Sequence, residues 1–130
     1  MGTPGAAAGR SIMVVEDNAD SLRMLCMALQ LQGYLCFPAE GGRAALKLLE
    51  GVRPDVAIVD LEMPGISGFD VAMRVRELFG AEVRLIALTG HADKQVRRAA
   101  REAGFDYHVL KPVSTEQLRP YIEDQIAPDD

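Results

Sequence analysis

Four short segments hold the residues whose types could do chemistry: Glu16-Asp17, Asp60, Thr89 and Lys111. Carboxylates, a hydroxyl and an ammonium together make a donor set for a hard cation and a phosphoryl group. Three carboxylates brought close repel one another, so some of their pKa values rise unless a cation compensates. Mg²⁺ takes oxygen ligands, few of them from protein, and completes its octahedron with water and phosphate oxygens. Glu16, Asp17 and Asp60 set against Lys111 leave two negative charges, which one divalent ion cancels while also neutralising an incoming phosphoryl group. Lys111 offers a compact point charge to phosphoryl oxygens, and the Thr89 hydroxyl can donate to one. Carboxylates form aspartyl-phosphates, and Asp60 is the best placed of the three to act as nucleophile.

The elements around these segments must bring them together. Ser11–Val15 reads as a first strand, apolar throughout, as a strand covered on both faces should be. A helix follows, with Leu22, Leu25, Cys26 and Leu29 at i, i+3, i+4 and i+7. Gly33 stands where a left-handed helix-ending residue is wanted. Tyr34–Phe37 is a short second strand, and Gly41-Gly42 opens a helix bearing Ala45, Leu48 and Leu49. Asp55–Asp60 is a third strand that delivers a carboxylate at its end, and residues 61–68 form a loop by their proline and glycines.

A helix over Phe69–Phe79, a strand over Val83–Leu88, a helix over Ala92–Ala103 and a strand over Tyr107–Leu110 complete the alternation. Ser114 and Gln117 have capping-box spacing for a last helix running to about Ile126. Pro120 lies inside that stretch, so the helix either starts near Arg119 or is kinked. Strict strand–helix alternation means parallel strands with right-handed crossovers, hence a doubly wound α/β sheet. In such a sheet ligands bind at the carboxyl ends of the strands. The first, third, fourth and fifth strands end there in Glu16-Asp17, Asp60, Thr89 and Lys111, whereas the second delivers only Pro38 and Ala39.

With 130 residues and a 48% hydrophobic share, the chain is long and apolar enough for one packed domain. Its net charge of -5 argues against sequence-independent nucleic-acid binding. No apolar run approaches a membrane span, and residues 1–10 lack the features of a signal peptide. The expected organisation is a flexible lead-in over 1–10, a domain over 11–127, a tail over 128–130, and a cytoplasmic location. Cys26 and Cys36 read as two small buried hydrophobes in a reducing compartment.

The segments Val15–Asn18, Val59–Gly68, Ala87–Gly90 and Leu110–Val113, separated by gaps of 43, 29 and 22 residues between Asp17, Asp60, Thr89 and Lys111, resemble the successive signatures of response-regulator receiver domains. The likeness covers about Ser11 to Ile126 and implies a flavodoxin-like (βα)5 fold with strand order 2-1-3-4-5. It implies that Asp60 is the phosphoacceptor and that Mg²⁺ is held directly by Asp17, largely through water by Glu16, and by the Glu62 backbone carbonyl. Thr89 would be the switch hydroxyl, Lys111 would bridge to the phosphoryl group, and the Lys111-Pro112 bond would be cis. Glu62 and His91, two residues past Asp60 and Thr89, would flank the phosphoryl group and tune its hydrolysis.

Many family members carry an aromatic three residues before the lysine; here that position is His108, preceded by Tyr107, as in receivers of hybrid histidine kinases. The implied partner is a histidine kinase or histidine phosphotransfer domain. A downstream protein or second copy would dock on the fourth helix, fifth strand and fifth helix, where Arg97, Arg98 and Arg101 form a basic helix face. The domain would catalyse only its own modification. Three rivals share fold or chemistry: a phosphorylation-independent pseudoreceiver, a Mg²⁺-dependent phosphatase using Glu62 as its acid, and a flavin carrier. The acidic first loop disfavours the last.

Overall fold

Alternating side chains along each strand point to opposite faces of a sheet, and here both faces are covered, which explains why the strands are apolar at nearly every position. The computed structural model describes residues 10–91 and 93–126. Its strands are β1 (Ser11–Glu16), β2 (Leu35–Glu40), β3 (Val56–Asp60), β4 (Arg84–Thr89) and β5 (Tyr107–Leu110). The helices are α1 (Ala19–Leu31), α2 (Gly42–Leu48), α3 (Gly68–Phe79), α4 (Lys94–Ala103) and α5 (Thr115–Ile122), with a 3-10 turn at Gly80–Glu82. All strand pairs are parallel, in the order β2-β1-β3-β4-β5 that the family resemblance implies.

Two apolar layers sandwich the sheet. On one face Met13, Val15, Ala57, Val59, Leu85 and Ala87 pack against residues of α2, α3 and α4 such as Ala45, Val71, Val75 and Ala100. On the other, Ile12, Val14, Val56, Ile58, Ile86 and Leu88 pack against Leu22, Leu29, Leu118 and Ile122 of α1 and α5. Every helix start but that of α2 is fixed by a side chain that accepts from an otherwise unsatisfied amide. Asn18 accepts from Ser21 N at 2.9 Å, Asp93 from Val96 N at 2.9 Å, and Ser114–Gln117 forms the expected capping box. Gly33 takes the left-handed conformation at φ 99°, as its place after α1 requires.

The main boundary differences from the sequence reading lie in β2, α4 and α5. Strand β2 starts at Leu35 rather than Tyr34 and continues through Pro38 to Glu40; Pro38 is tolerated because β2 is an edge strand, where a missing amide breaks no ladder. Helix α4 starts at Lys94 with Asp93 as its N-cap; Ala92, where the sequence reading began it, lies outside the described residues. Helix α5 starts at Thr115, not near Arg119, and carries Pro120 inside it. It ends at Ile122 rather than Ile126: Asp124 turns left-handed at φ 61°, and the Tyr121 and Ile122 carbonyls accept from Arg84 Nη1 at 3.5 and 3.3 Å.

The cysteines are not independent thiols. Cys26 of α1 and Cys36 of β2 pair as a disulfide with a Cα–Cα distance of 5.8 Å, because α1 packs over the β1–β2 edge and the connection brings these two positions face to face. The tail at 128–130 and residues 1–9 of the expected lead-in lie outside the described residues. Arg10 is docked: its carbonyl accepts from Leu35 N at 2.9 Å and its guanidinium lies 3.7 Å from Glu123. Among the described residues no helix is long and apolar enough to cross a membrane.

Candidate functional site

Parallel register places the chemistry-bearing residues in one row. Val15 pairs with Val59, Asp60 with Leu88 and Thr89 with Leu110, so Glu16, Asp60, Thr89 and Lys111 all emerge at the carboxyl edge. Asp60 and Thr89 are the polar residues buried there, at 2% and 0% exposure. Gly68 lets α3 start directly against this edge, since a Cβ on it would lie 2.5 Å from the Asp60 carbonyl oxygen. The sharp turn after β3 is thus built around the Asp60 backbone.

Carboxylate oxygens of Glu16, Asp17 and Asp60 lie within 4.8 Å of one another, close enough to share one cation. Asp17 is exposed and Glu16 half-buried, so the cluster opens to solvent on one side. Glu16 accepts from Asn18 N at 3.0 Å. Burial, with the nearby Asp60 charge, pushes the Glu16 carboxyl above its ordinary pKa, against the opposing Asn18 hydrogen bond and Lys111 charge. The donor set, three carboxylates without sulfur or imidazole, fits Mg²⁺.

Lys111 Nζ lies 3.2 Å from both Asp60 carboxylate oxygens. Partial burial opposes its charge, but Asp60, with Glu62 and Glu16, outweighs this and raises its pKa. Lys111 N donates to Thr89 O at 2.7 Å, and the Lys111-Pro112 bond is cis, as the family resemblance implied. The Asp60 Oδ1 atom also accepts from Glu62 N at 2.9 Å.

The sequence reading set Glu62 beside the phosphoryl site but did not anticipate its contact with Thr89. Its side chain accepts from the Thr89 hydroxyl and from Gly90 N at 3.0 Å, and it lies 3.6 Å from Lys111 Nζ. Partial burial raises the Glu62 carboxyl, but the Thr89 and Gly90 hydrogen bonds and the Lys111 and His91 charges prevail and hold it below the ordinary value. In the sequence its spacing after Asp60 pointed to the site, but nothing there marked the bond to Thr89.

The remaining expected residues are spread around this centre. His91 is exposed beside it and donates its amide to Thr89 Oγ1 at 3.0 Å. His108 is half-buried on β5, beside Arg97, Arg101 and Phe105. Tyr107 belongs to the opposite layer: its hydroxyl donates to the Ile126 carbonyl at 2.5 Å, and its ring meets Tyr121 edge-on at 5.1 Å. It is therefore a buried anchor for the end of α5.

A family model for the response regulator receiver domain matches residues 12–123. The phosphate regulon transcriptional regulatory protein PhoB of Pseudomonas aeruginosa is 31% identical over 111 residues, covering 85% of this chain and 48% of PhoB. The chain thus spans about half the length of that relative. Among solved structures, the chemotaxis protein CheY4 of Vibrio cholerae superposes with a TM-score of 0.85 at 26% identity, covering 92% of this chain and 100% of CheY4. The response regulator TrrA of Thermotoga maritima, solved in complex with Mg(2+)-BeF, superposes with a TM-score of 0.78 at 31% identity, covering 90% of this chain and 99% of TrrA. With the five-stranded order and the acidic edge already in place, the match across nearly the whole chain means that this protein belongs to the response-regulator receiver domains of two-component signalling.

Proposed function

We propose that this domain accepts a phosphoryl group on Asp60 from a phosphohistidine of a histidine kinase or histidine phosphotransfer domain. The observation that carries this is the buried Asp60 carboxylate, held 3.2 Å from Lys111 and within 4.8 Å of Glu16 and Asp17. Asp60 attacks phosphorus in line; the new bond is oxygen to phosphorus, and the phosphorus–nitrogen bond breaks, leaving imidazole to take a proton from solvent. Asp17, Asp60, the Glu62 carbonyl and Glu16 would hold Mg²⁺, which would supply charge neutralisation for the phosphoryl oxygens. Lys111 orients and neutralises the same oxygens. Thr89 then turns its hydroxyl to the phosphoryl group, and the surface of α4, β5 and α5 shifts between two packings.

In this reading the chain modifies itself and turns over no metabolite. It works in the cytoplasm, and its output passes to a downstream protein or a second copy rather than directly to nucleic acid or membrane. His108 stands where an aromatic usually rotates, so the β5 response involves an imidazole, with His91 and Glu62 adjusting water access to the acyl phosphate. A phosphatase would need Glu62 to carry a proton for a leaving group; its carboxyl is held below the ordinary range and engaged by Thr89, which favours the receiver over that rival. Incubation with Mg²⁺ and acetyl phosphate, followed by intact mass, tests the proposal. A gain of one phosphoryl group, absent with chelator and in Asp60→Asn, is expected. No gain from acetyl phosphate or from phosphorylated kinases would leave a pseudoreceiver.

A further inference from the structure

We propose that the Glu62 side chain is a latch that positions Thr89 in the unphosphorylated domain and that the phosphoryl group must displace. The inference rests on the receiver reading above and concerns what opposes the switch. A threonine hydroxyl has one proton to donate, and that of Thr89 goes to Glu62 Oε2. The Thr89 oxygen meanwhile accepts from His91 N at 3.0 Å, so the hydroxyl is held on both sides. Gly90 N donates to Glu62 Oε1 and Oε2 at 3.0 and 3.2 Å. Lys111 Nζ divides its attention between Asp60 at 3.2 Å and Glu62 Oε1 at 3.6 Å.

A carboxylate therefore already stands among the hydroxyl, the ammonium and the amide that an anionic phosphoryl oxygen would recruit. Both anions cannot take the single Thr89 proton, so the two arrangements exclude each other. Thr89 is fully buried while the Glu62 side chain is 38% exposed. Release therefore needs only the carboxylate to swing into solvent, with no repacking of the core. The latch lowers the population of the switched form and so weakens apparent affinity for a phosphoryl group or its mimic.

The test titrates beryllofluoride with Mg²⁺ into the wild type, Glu62→Ala, Thr89→Ala and the double variant. Glu62→Ala should bind about tenfold tighter, the order expected for removing hydrogen bonds to a charged acceptor. In the Thr89→Ala background the same substitution should gain less than about threefold, because the main latch contact is already gone. Equal gains in both backgrounds would reduce Glu62 to a repelling charge and overturn the latch, as would no gain at all. A second readout needs neither metal nor phosphoryl mimic: three-bond couplings of the Thr89 side chain should report one rotamer in the wild type and averaging in Glu62→Ala. One unchanged rotamer in that variant would also overturn it. If the wild type binds no beryllofluoride, the receiver reading fails and the rotamer result alone decides the latch.

Discussion

Replacing Lys111 by alanine removes the ammonium that lies 3.2 Å from both oxygens of Asp60 and 3.6 Å from Glu62. Unit charges 3.2 Å apart attract by about 5 kcal/mol at an effective dielectric of about 20. The Asp60 side chain is 3% exposed but that of Lys111 is 33% exposed, so screening and the desolvation of the lysine reduce the net loss to about 2–3 kcal/mol. The lysine pKa is raised above 10.5 in the fold: its desolvation is outweighed by Asp60, Glu62 and Glu16. Its stabilisation is thus complete below that ordinary value and is lost only as pH rises through the raised one. Around neutrality, the deficit of Lys111→Ala should not change with pH on the lysine's account. Mg²⁺ should close the gap, since the cation neutralises the same carboxylates and binds the more negative variant better. Urea unfolding followed by circular dichroism, with chelator and with saturating Mg²⁺, measures both. Equal stability of variant and wild type in chelator, or a deficit of the same size with and without Mg²⁺, would refute the electrostatic account.

Three other perturbations follow from the geometry. Gly68→Ala drives a Cβ to 2.5 Å from the Asp60 carbonyl oxygen and should cost about 1–3 kcal/mol while slowing phosphorylation; a thermal melt unchanged from wild type would contradict the close approach. The Glu16 carboxyl is raised above 4.5, by burial first and then by Asp60, so its contribution to stability is full below that value and lost as pH rises through the raised one. Metal-free Glu16→Gln should accordingly lose less stability than wild type between acid and neutral pH, and parallel pH profiles would count against the assignment. Reduction of Cys26–Cys36, which closes a loop with a sequence separation of 10, should lower unfolding free energy by about 2–3 kcal/mol. Cys26→Ser should be insensitive to reductant, and two alkylatable thiols in the non-reduced native protein would show that the bond does not form.

The parts legible in the sequence are those fixed by local pattern. Apolar strands such as residues 56–59 could be read because both sheet faces are covered, and strand ends followed from where apolar runs stop at Glu16, Asp60 and Lys111. Gly33 and the Ser114–Gln117 box announced themselves because backbone conformation and capping chemistry restrict residue choice there. What escaped depends on contacts between distant segments. Pro38 masked the length of β2 because its tolerance depends on β2 being at the edge. The Cys26–Cys36 pairing needs the placement of α1 over β2, and the Glu62 carboxylate could have pointed to solvent, to metal or to Thr89. The same holds for Arg76, which binds the Gly80, Val83 and Gly104 carbonyls and Asp106 and ties α3 to the loop before β5, with no motif to mark it.

Locating the phosphoryl group on the chain tests the central claim most directly. After treatment with Mg²⁺ and acetyl phosphate, borohydride reduces an acyl phosphate to an alcohol, and peptide mass spectrometry finds the altered residue. The account predicts a single reduced aspartate, Asp60, lost with chelator and in Asp60→Asn. Reduction at Asp17 or Glu16, or an unchanged Asp60 peptide in a protein that has gained a phosphoryl group, would contradict it.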